Sequence, residues 1–240
     1  MSKSLHRKLS QSLKRRGFFG TLKRCVKEPF HLISEYRPSR IRSRRAQKEF
    51  DRRFGVDTAG IIALSTLDIE DENWQYGIGY EPTDPEHFTT LVSELSIRFE
   101  EFTFIDLGSG KGRALLLASE FPFRRILGVE ISSHLHQIAE KNIRAYRNDS
   151  TKCTTVQSIC LDATKFRIPD EPTVFYFFNP FQEPIMAKVI SNIEESLRTN
   201  PRVIYTLYKA PLLGSLFDRA NFLKKVKTDR GYAIYTNTLP

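Results

Sequence analysis

The sequence predicts an α/β protein built on a mostly parallel sheet that closes with an antiparallel hairpin. Three observations predict it. Residues 104–131 read in order as strand, glycine-rich turn, helix, strand and terminal acid. From residue 84 onward, short apolar runs alternate with runs at helical spacing. The last two runs, residues 222–227 and 232–236, flank Asp229, Arg230 and Gly231 and read as a hairpin.

Each element has its own warrant. Asp84, Pro85 and Glu86 supply an N-cap, a first-turn proline and a first-turn acid. Phe88, Leu91, Val92, Leu95 and Phe99 follow at helical spacing and deliver the chain to a first strand, Phe104-Ile105, ending on Asp106. Residues 113–119 read as a helix and residues 126–129 as a second strand, closed by Glu130. Ser132 or Ser133 caps the next helix, whose apolar face is Leu135, Ile138, Ala139, Ile143 and Tyr146; His134 and His136 read as surface residues. Residues 155–161 form a third strand, followed by Asp162 and Ala163. The near-continuous apolar run 173–178 has the pattern of a central strand buried on both faces, and it ends in Asn179-Pro180-Phe181. A helix starts at Pro184 and Ile185, with Met186, Val189, Ile190, Ile193 and Leu197 inward. Residues 202–208 give a fifth strand and residues 212–220 a short helix. These runs make seven strands.

Ahead of this domain lie two different segments. Residues 55–83 show little periodicity but hold Trp74, Tyr76, Gly77, Gly79 and Tyr80, an aromatic, glycine-hinged stretch placed to act as a lid; Trp74 is expected to pack on the sheet. Residues 1–54 carry 17 Lys and Arg against 4 Asp and Glu, a net +13, so the rest of the chain totals −4 against +9 overall. Leucines at 5, 9 and 13, and Leu22 with Val26, suit two short basic amphipathic helices, and residues 42–54 a third. Such an arm suits an anionic membrane surface or nucleic acid, and it equally suits a solvated, partly disordered tail. The expected organisation is therefore 1–54 extension, 55–83 lid-like segment, 84–240 catalytic domain.

Composition narrows the class. Cys25, Cys153 and Cys160 form no C-x-x-C pair, which argues for a reducing, cytoplasmic setting, peripheral to a membrane at most, with no disulfide framework and no metal site. No apolar run approaches the ~20 residues of a membrane span. Nothing in the sequence speaks to oligomeric state.

The chemistry concentrates in the first βαβ unit. Glycines at 108, 110 and 112 let the backbone turn sharply and approach a ligand, and the following helix begins with unpaired N–H groups. Glu130, at a strand end, can accept both hydroxyls of a ribose. The spacing is G-x-G-x-G rather than the G-x-G-x-x-G of dinucleotide folds, and Asp106 would repel a diphosphate but suits a cationic ligand.

This D-x-G-x-G-x-G pattern, Asp106 to Gly112, resembles the first motif of class I S-adenosylmethionine-dependent methyltransferases. The resemblance implies a Rossmann-like, mostly parallel seven-stranded sheet with a C-terminal antiparallel hairpin, and S-adenosylmethionine as cofactor. It implies cofactor contacts from Asp106, Gly108, Ser109, Gly110 and Gly112, from Glu130 and Ile131 at the ribose, and from Asp162 and Ala163 at the adenine. Asn179-Pro180-Phe181 is similar to the asparagine-proline-proline-aromatic motif of amino-methylating enzymes, one proline short. That likeness implies that Asn179 touches both cofactor and acceptor, orienting an N–H or O–H, with Pro180 and Phe181 walling the acceptor; Asn179 also reads as a cap on the next helix. The stretch GYEPTDPEHFTTLVSEL resembles a group of small protein-lysine methyltransferases, including those acting on the ATP-synthase c-subunit. Tyr80 and Thr83 are its matching positions, with Glu81 inserted, and Tyr80 would close the pocket.

The function expected is thus methyl transfer to an N or O nucleophile of an unidentified acceptor, protein lysine foremost. RNA or a lipid or glycan precursor is the alternative acceptor. A nicotinamide-dependent oxidoreductase and a non-catalytic scaffold worked by its basic arm are the competing classes.

Overall fold

The structure is a computed structural model that describes residues 38–67, 69, 71–229 and 231–238. The two amphipathic helices expected before residue 38 lie outside the described residues. The chain divides into two units, Met1–Ala46 and Gln47–Pro240. Helix α1 (Pro38–Phe54) contains residues 42–54, the part of the basic arm expected to be helical, and its residues from Gln47 belong to the second unit.

That unit holds one seven-stranded sheet. The strands are β1 (Thr103–Leu107), β2 (Arg125–Glu130), β3 (Val156–Cys160), β4 (Thr173–Phe178), β5 (Ile204–Lys209), β6 (Lys224–Asp229) and β7 (Tyr232–Thr236), in the order β3-β2-β1-β4-β5-β7-β6. β1 to β5 run parallel, and β7 pairs antiparallel with both β5 and β6. The mostly parallel sheet with a terminal antiparallel hairpin is therefore as the residue pattern predicted.

Both faces of the sheet are covered. α2 (Pro85–Ser93), capped by Asp84 on the N–H of His87, and α3 (Arg113–Ala118) bury one face around Phe88, Phe104, Leu115 and Tyr176. α5 (Glu183–Thr199) covers the other with Met186, Val189 and Ile193 on Phe175 and Phe177. α4 (Ser133–Ala145) is capped by Ser132 rather than Ser133. α6 is only Gly214–Asp218, shorter than the run 212–220, because Pro211 and the turn at Leu213 start it late. The first strand of the hairpin begins at Lys224 rather than at 222, with a register shift between Lys225 and Lys227. Among the described residues no helix is long and apolar enough to cross a membrane.

β1 and β4 are buried almost end to end, as strands sandwiched between helices must be. Each fully buried Phe there contributes roughly 1.5–3 kcal/mol. This apolar middle fixes the strand ends, and the ends carry the site.

Candidate active site

Four neighbouring strands bring their carboxyl ends to one edge. The register pairs Asp106 with Gly128 and with Tyr176, and Glu130 with Cys160. Asp106, Glu130 and Asp162 are each buried, at 4%, 6% and 4% exposure. In an open α/β sheet this edge is where ligands bind.

The glycine loop is pinned from below. Gly108 N–H and Ser109 N–H both donate to the Val129 carbonyl, at 2.8 and 3.0 Å. Glu130 then holds the two loops that meet over the strands: Oε2 accepts from Gly110 N–H and Oε1 from Ser132 N–H, each at 2.8 Å. Gly108 has φ +89° and Gly110 φ +55°. A Cβ on Gly108 would stand 2.5 Å from Pro180 Cβ, and one on Gly110 2.2 Å from the Tyr80 ring. Only glycine fits either place.

Burial, and then the Glu130 carboxylate beside it, push the Asp106 carboxyl well above its ordinary range. Glu130 is pushed up by burial, against the backbone N–H groups that stabilise its charge. The Ser109 hydroxyl is buried without a partner.

Residues 71–83 roof the cavity, held by several bonds. Ile78 N–H donates to the Pro180 carbonyl at 3.0 Å, and Gln182 N–H to the Tyr76 carbonyl at 2.7 Å. Asn73 Nδ2 donates to Asp162 Oδ2 at 2.8 Å, and Lys165 pairs with Asp71 at 2.9 Å. Tyr80 Oη donates to the Thr58 carbonyl. Trp74, expected only to pack on the sheet, instead lies on a 3-10 turn (Glu72–Tyr76) and lines the cavity.

A network absent from the sequence reading underpins Tyr80. Arg113 Nε donates to Thr58 Oγ1 at 2.6 Å and its NH2 to Asp51 Oδ1 at 3.0 Å. Lys111 Nζ pairs with Asp57 at 2.7 Å. Asn142, buried on α4, joins Asp57 to the Lys111 carbonyl. Its position continues the apolar face of α4, but its amide hid it from a search for hydrophobes. His136, read as a surface residue, is half-buried, with Nδ1 2.8 Å from Ser158 Oγ, because the start of α4 lies over β3.

The cavity is lined by Asp106, Gly108, Ser109, Gly110, Glu130, Ile131, Asp162, Ala163, Tyr80, Pro180 and Phe181, all predicted site residues. It also takes Asn73, Glu81, Tyr176 and Phe178, which the sequence reading did not assign to the site. Gly112 is at the start of α3 with φ +83°, outside the lining. Asn179 does not line the cavity either. It has φ +49°, and its Oδ1 accepts from Tyr208 Oη at 3.3 Å.

Residues 76–164 match the family model described as histone methylation protein DOT1, a span that runs from the roof segment through Asp106 and Glu130 to Asp162. That match, over less than half of the chain, is to a methyltransferase family, and it takes in the glycine loop and the strand-end acids.

The residues of this methyltransferase fit the cofactor. Two buried carboxylates that no ion pair among the described residues neutralises suit a ligand carrying positive charge, and the loop leaves room only where a Cβ is missing. The unpartnered Ser109 hydroxyl is a polar atom with a bond still to make. S-Adenosylmethionine is the cofactor that these residues suit.

Among solved structures, the methyltransferase is similar to an RNA methyltransferase from Salinibacter ruber in complex with S-adenosyl-L-homocysteine (16% identity, 65% of this chain and 92% of that one, TM-score 0.42). It is also similar to a predicted N6-adenine-specific DNA methylase from Listeria monocytogenes (15% identity, 66% and 52%, TM-score 0.49). A third is a precorrin-6y C5,15-methyltransferase from Geobacter metallireducens (12% identity, 72% and 93%, TM-score 0.45). No curated protein matches the chain.

Proposed function

We propose that this methyltransferase acts on a nitrogen nucleophile, with the side-chain amine of a protein lysine as the acceptor. The observation that carries this reading is the makeup of the cavity beyond the carboxylates. Trp74, Tyr80, Tyr176, Phe178 and Phe181 supply aromatic walls, and the exposed Glu81 adds a carboxylate at the rim. Its one basic lining residue among those described, Arg113, is paired with Asp51 through NH2 and bonded to Thr58 through Nε, while its buried NH1 has no hydrogen-bond partner among them. Aromatic faces and a carboxylate attract an ammonium more than a phosphate. The net −4 of residues 55–240 points the same way.

When bound, S-adenosylmethionine supplies a methyl group already activated by a positive sulfur. The chain then has to position and desolvate more than to move protons, and good orientation alone is worth up to ~7–11 kcal/mol. Asp106 and Ser109 face the charged end, Glu130 and Ile131 the ribose, and Asp162 and Ala163 the adenine. Tyr80, Pro180 and Phe181 wall the acceptor. Gly108, Gly110 and Gly112 shape the loop. Asn179, outside the cavity lining with its Oδ1 bonded to Tyr208, does not take the acceptor-orienting role. Residues 55–83 act as the lid, and residues 1–46 as an extension outside the unit that holds the sheet. The free thiols of Cys153 and Cys160 support a cytoplasmic setting.

The test is transfer of labelled methyl into a fractionated cell extract, with Asp106→Ala as blank. Label in protein, mapping to lysine, is expected. Label in RNA or lipid rejects the lysine acceptor. The RNA outcome has one observation in its favour, the net +13 of residues 1–54.

A further inference from the structure

Asp162 is more heavily used than a strand-end acid needs to be. Its Oδ1 accepts from Thr164 N–H at 2.8 Å, and its Oδ2 accepts from Thr164 Oγ1 and from Asn73 Nδ2, both at 2.8 Å. A carboxylate offers about four lone-pair sites. Three are filled, and the remaining one is on Oδ1.

The partner from the roof is oriented by this carboxylate. An ionised acid only accepts, so Asn73 must turn its NH2 toward Asp162, which leaves its amide oxygen as an acceptor. Among the described residues no donor serves that oxygen, and Asn73 lines the cavity alongside Asp162 and Ala163. The Asn73 backbone is fixed as well. Its N–H donates to Asp71 Oδ1 at 2.9 Å, and Asp71 is itself held by Lys165. Two acceptors from elements 89 residues apart are thereby held side by side by their own hydrogen bond.

We propose that Asn73 is a cofactor-specificity residue: its amide oxygen and Asp162 Oδ1 together accept the two N–H bonds of the adenine exocyclic amine. The inference rests on the S-adenosylmethionine reading and on Asp162 as its adenine end. It makes the roof part of the cofactor site. A 6-oxo purine presents an acceptor where the amine had donors, so it would face two acceptors at once and be rejected.

The test is calorimetric binding of S-adenosylhomocysteine and of its hypoxanthine counterpart, S-inosylhomocysteine, to the full chain and three variants. Wild type is expected to prefer the adenine form. Asn73→Ala is expected to weaken S-adenosylhomocysteine by about 2- to 12-fold, the worth of one hydrogen bond, and to shrink the adenine-to-hypoxanthine ratio by a similar factor. Gln182→Ala, which removes the Nε2 bond to the Gln75 carbonyl and so loosens the roof without touching either acceptor, is expected to leave the ratio unchanged. An Asn73→Ala protein that loses affinity for both ligands equally overturns the inference, because Asn73 would then be only an anchor. Wild-type ratio retained in Asp162→Ala overturns it too. Failure of wild type to bind S-adenosylhomocysteine at all removes the cofactor reading itself and the inference with it. Thermal unfolding of each apo variant separates lost binding from lost folding.

Discussion

Arg113 donates to Asp51 at 3.0 Å with its own side chain only 1% exposed. The pair joins the first helix after the glycine loop to the end of α1, and Thr58 sits between them, donating to Asp51 Oδ1 and accepting from Arg113 Nε. Removing one partner of a buried pair strands the other charge. Asp51→Ala is therefore expected to cost about 3–5 kcal/mol, read as a lower urea midpoint at unchanged slope. Asp51→Asn, which keeps an acceptor for Thr58, is expected to cost less.

Tyr80 is held by that network at its tip and by Gly110 at its face. Tyr80→Phe keeps the ring and removes only the bond to the Thr58 carbonyl. It is expected to lower stability by about 1 kcal/mol. Acceptor turnover should fall while S-adenosylhomocysteine affinity stays within about twofold, since each 1.4 kcal/mol is tenfold and none of the proposed cofactor bonds is lost. Paired calorimetry and turnover assays decide it; an equal loss in both would make Tyr80 a cofactor residue instead.

Gly110→Ala attacks the same contact from the other side. The new methyl would lie 2.2 Å from the Tyr80 ring, on a backbone at φ +55°. The strained backbone alone costs about 1–3 kcal/mol. Cofactor affinity is expected to fall by more than tenfold. Adding Tyr80→Ala removes the clash but not the φ penalty, so the double variant should recover part of the loss, a coupling of about 0.5–3 kcal/mol in a double-mutant cycle.

These contacts also mark what could be read from the residues and what could not. Asp106, Glu130 and Asp162 were legible because each ends an apolar run, and the run both forms the strand and places its last residue at the ligand edge. The loop glycines were legible because positive φ leaves few other residues. Thr58, Asn73 and Asn142 were not. Thr58 and Asn73 belong to a stretch without periodicity, and their partners lie 55 and 89 residues away. Asn142 occupies a core position of α4 with a polar side chain that is paid for only in three dimensions. Asn179 was legible as a strand-end polar residue, but its direction was not. The bond to Tyr208 and the positive φ decide that, and neither leaves a trace in the local pattern.

Asp106 makes the cofactor site costly when empty. No side-chain hydrogen bond to it exists among the described residues, and burial with the neighbouring Glu130 raises its pKa well above the ordinary value. A raised folded pKa means that the native state holds a proton the unfolded chain gives up. The stabilising contribution is then complete below the unfolded carboxyl range and is lost as pH rises through the folded value. Asp106→Asn mimics the protonated form at every pH. The apo variant is expected to melt above wild type at neutral pH, with the difference closing as the medium is acidified; Glu130 titrates in both proteins and cancels to first order. Binding should run the other way. The cationic end of S-adenosylhomocysteine favours the carboxylate, so wild type is expected to release protons on binding and to bind more weakly in acid, while Asp106→Asn binds weakly throughout. Calorimetry in buffers of different ionisation enthalpy measures the protons released, and a wild-type value of zero across the neutral-to-acid range would show that Asp106 and Glu130 are already ionised before the ligand arrives.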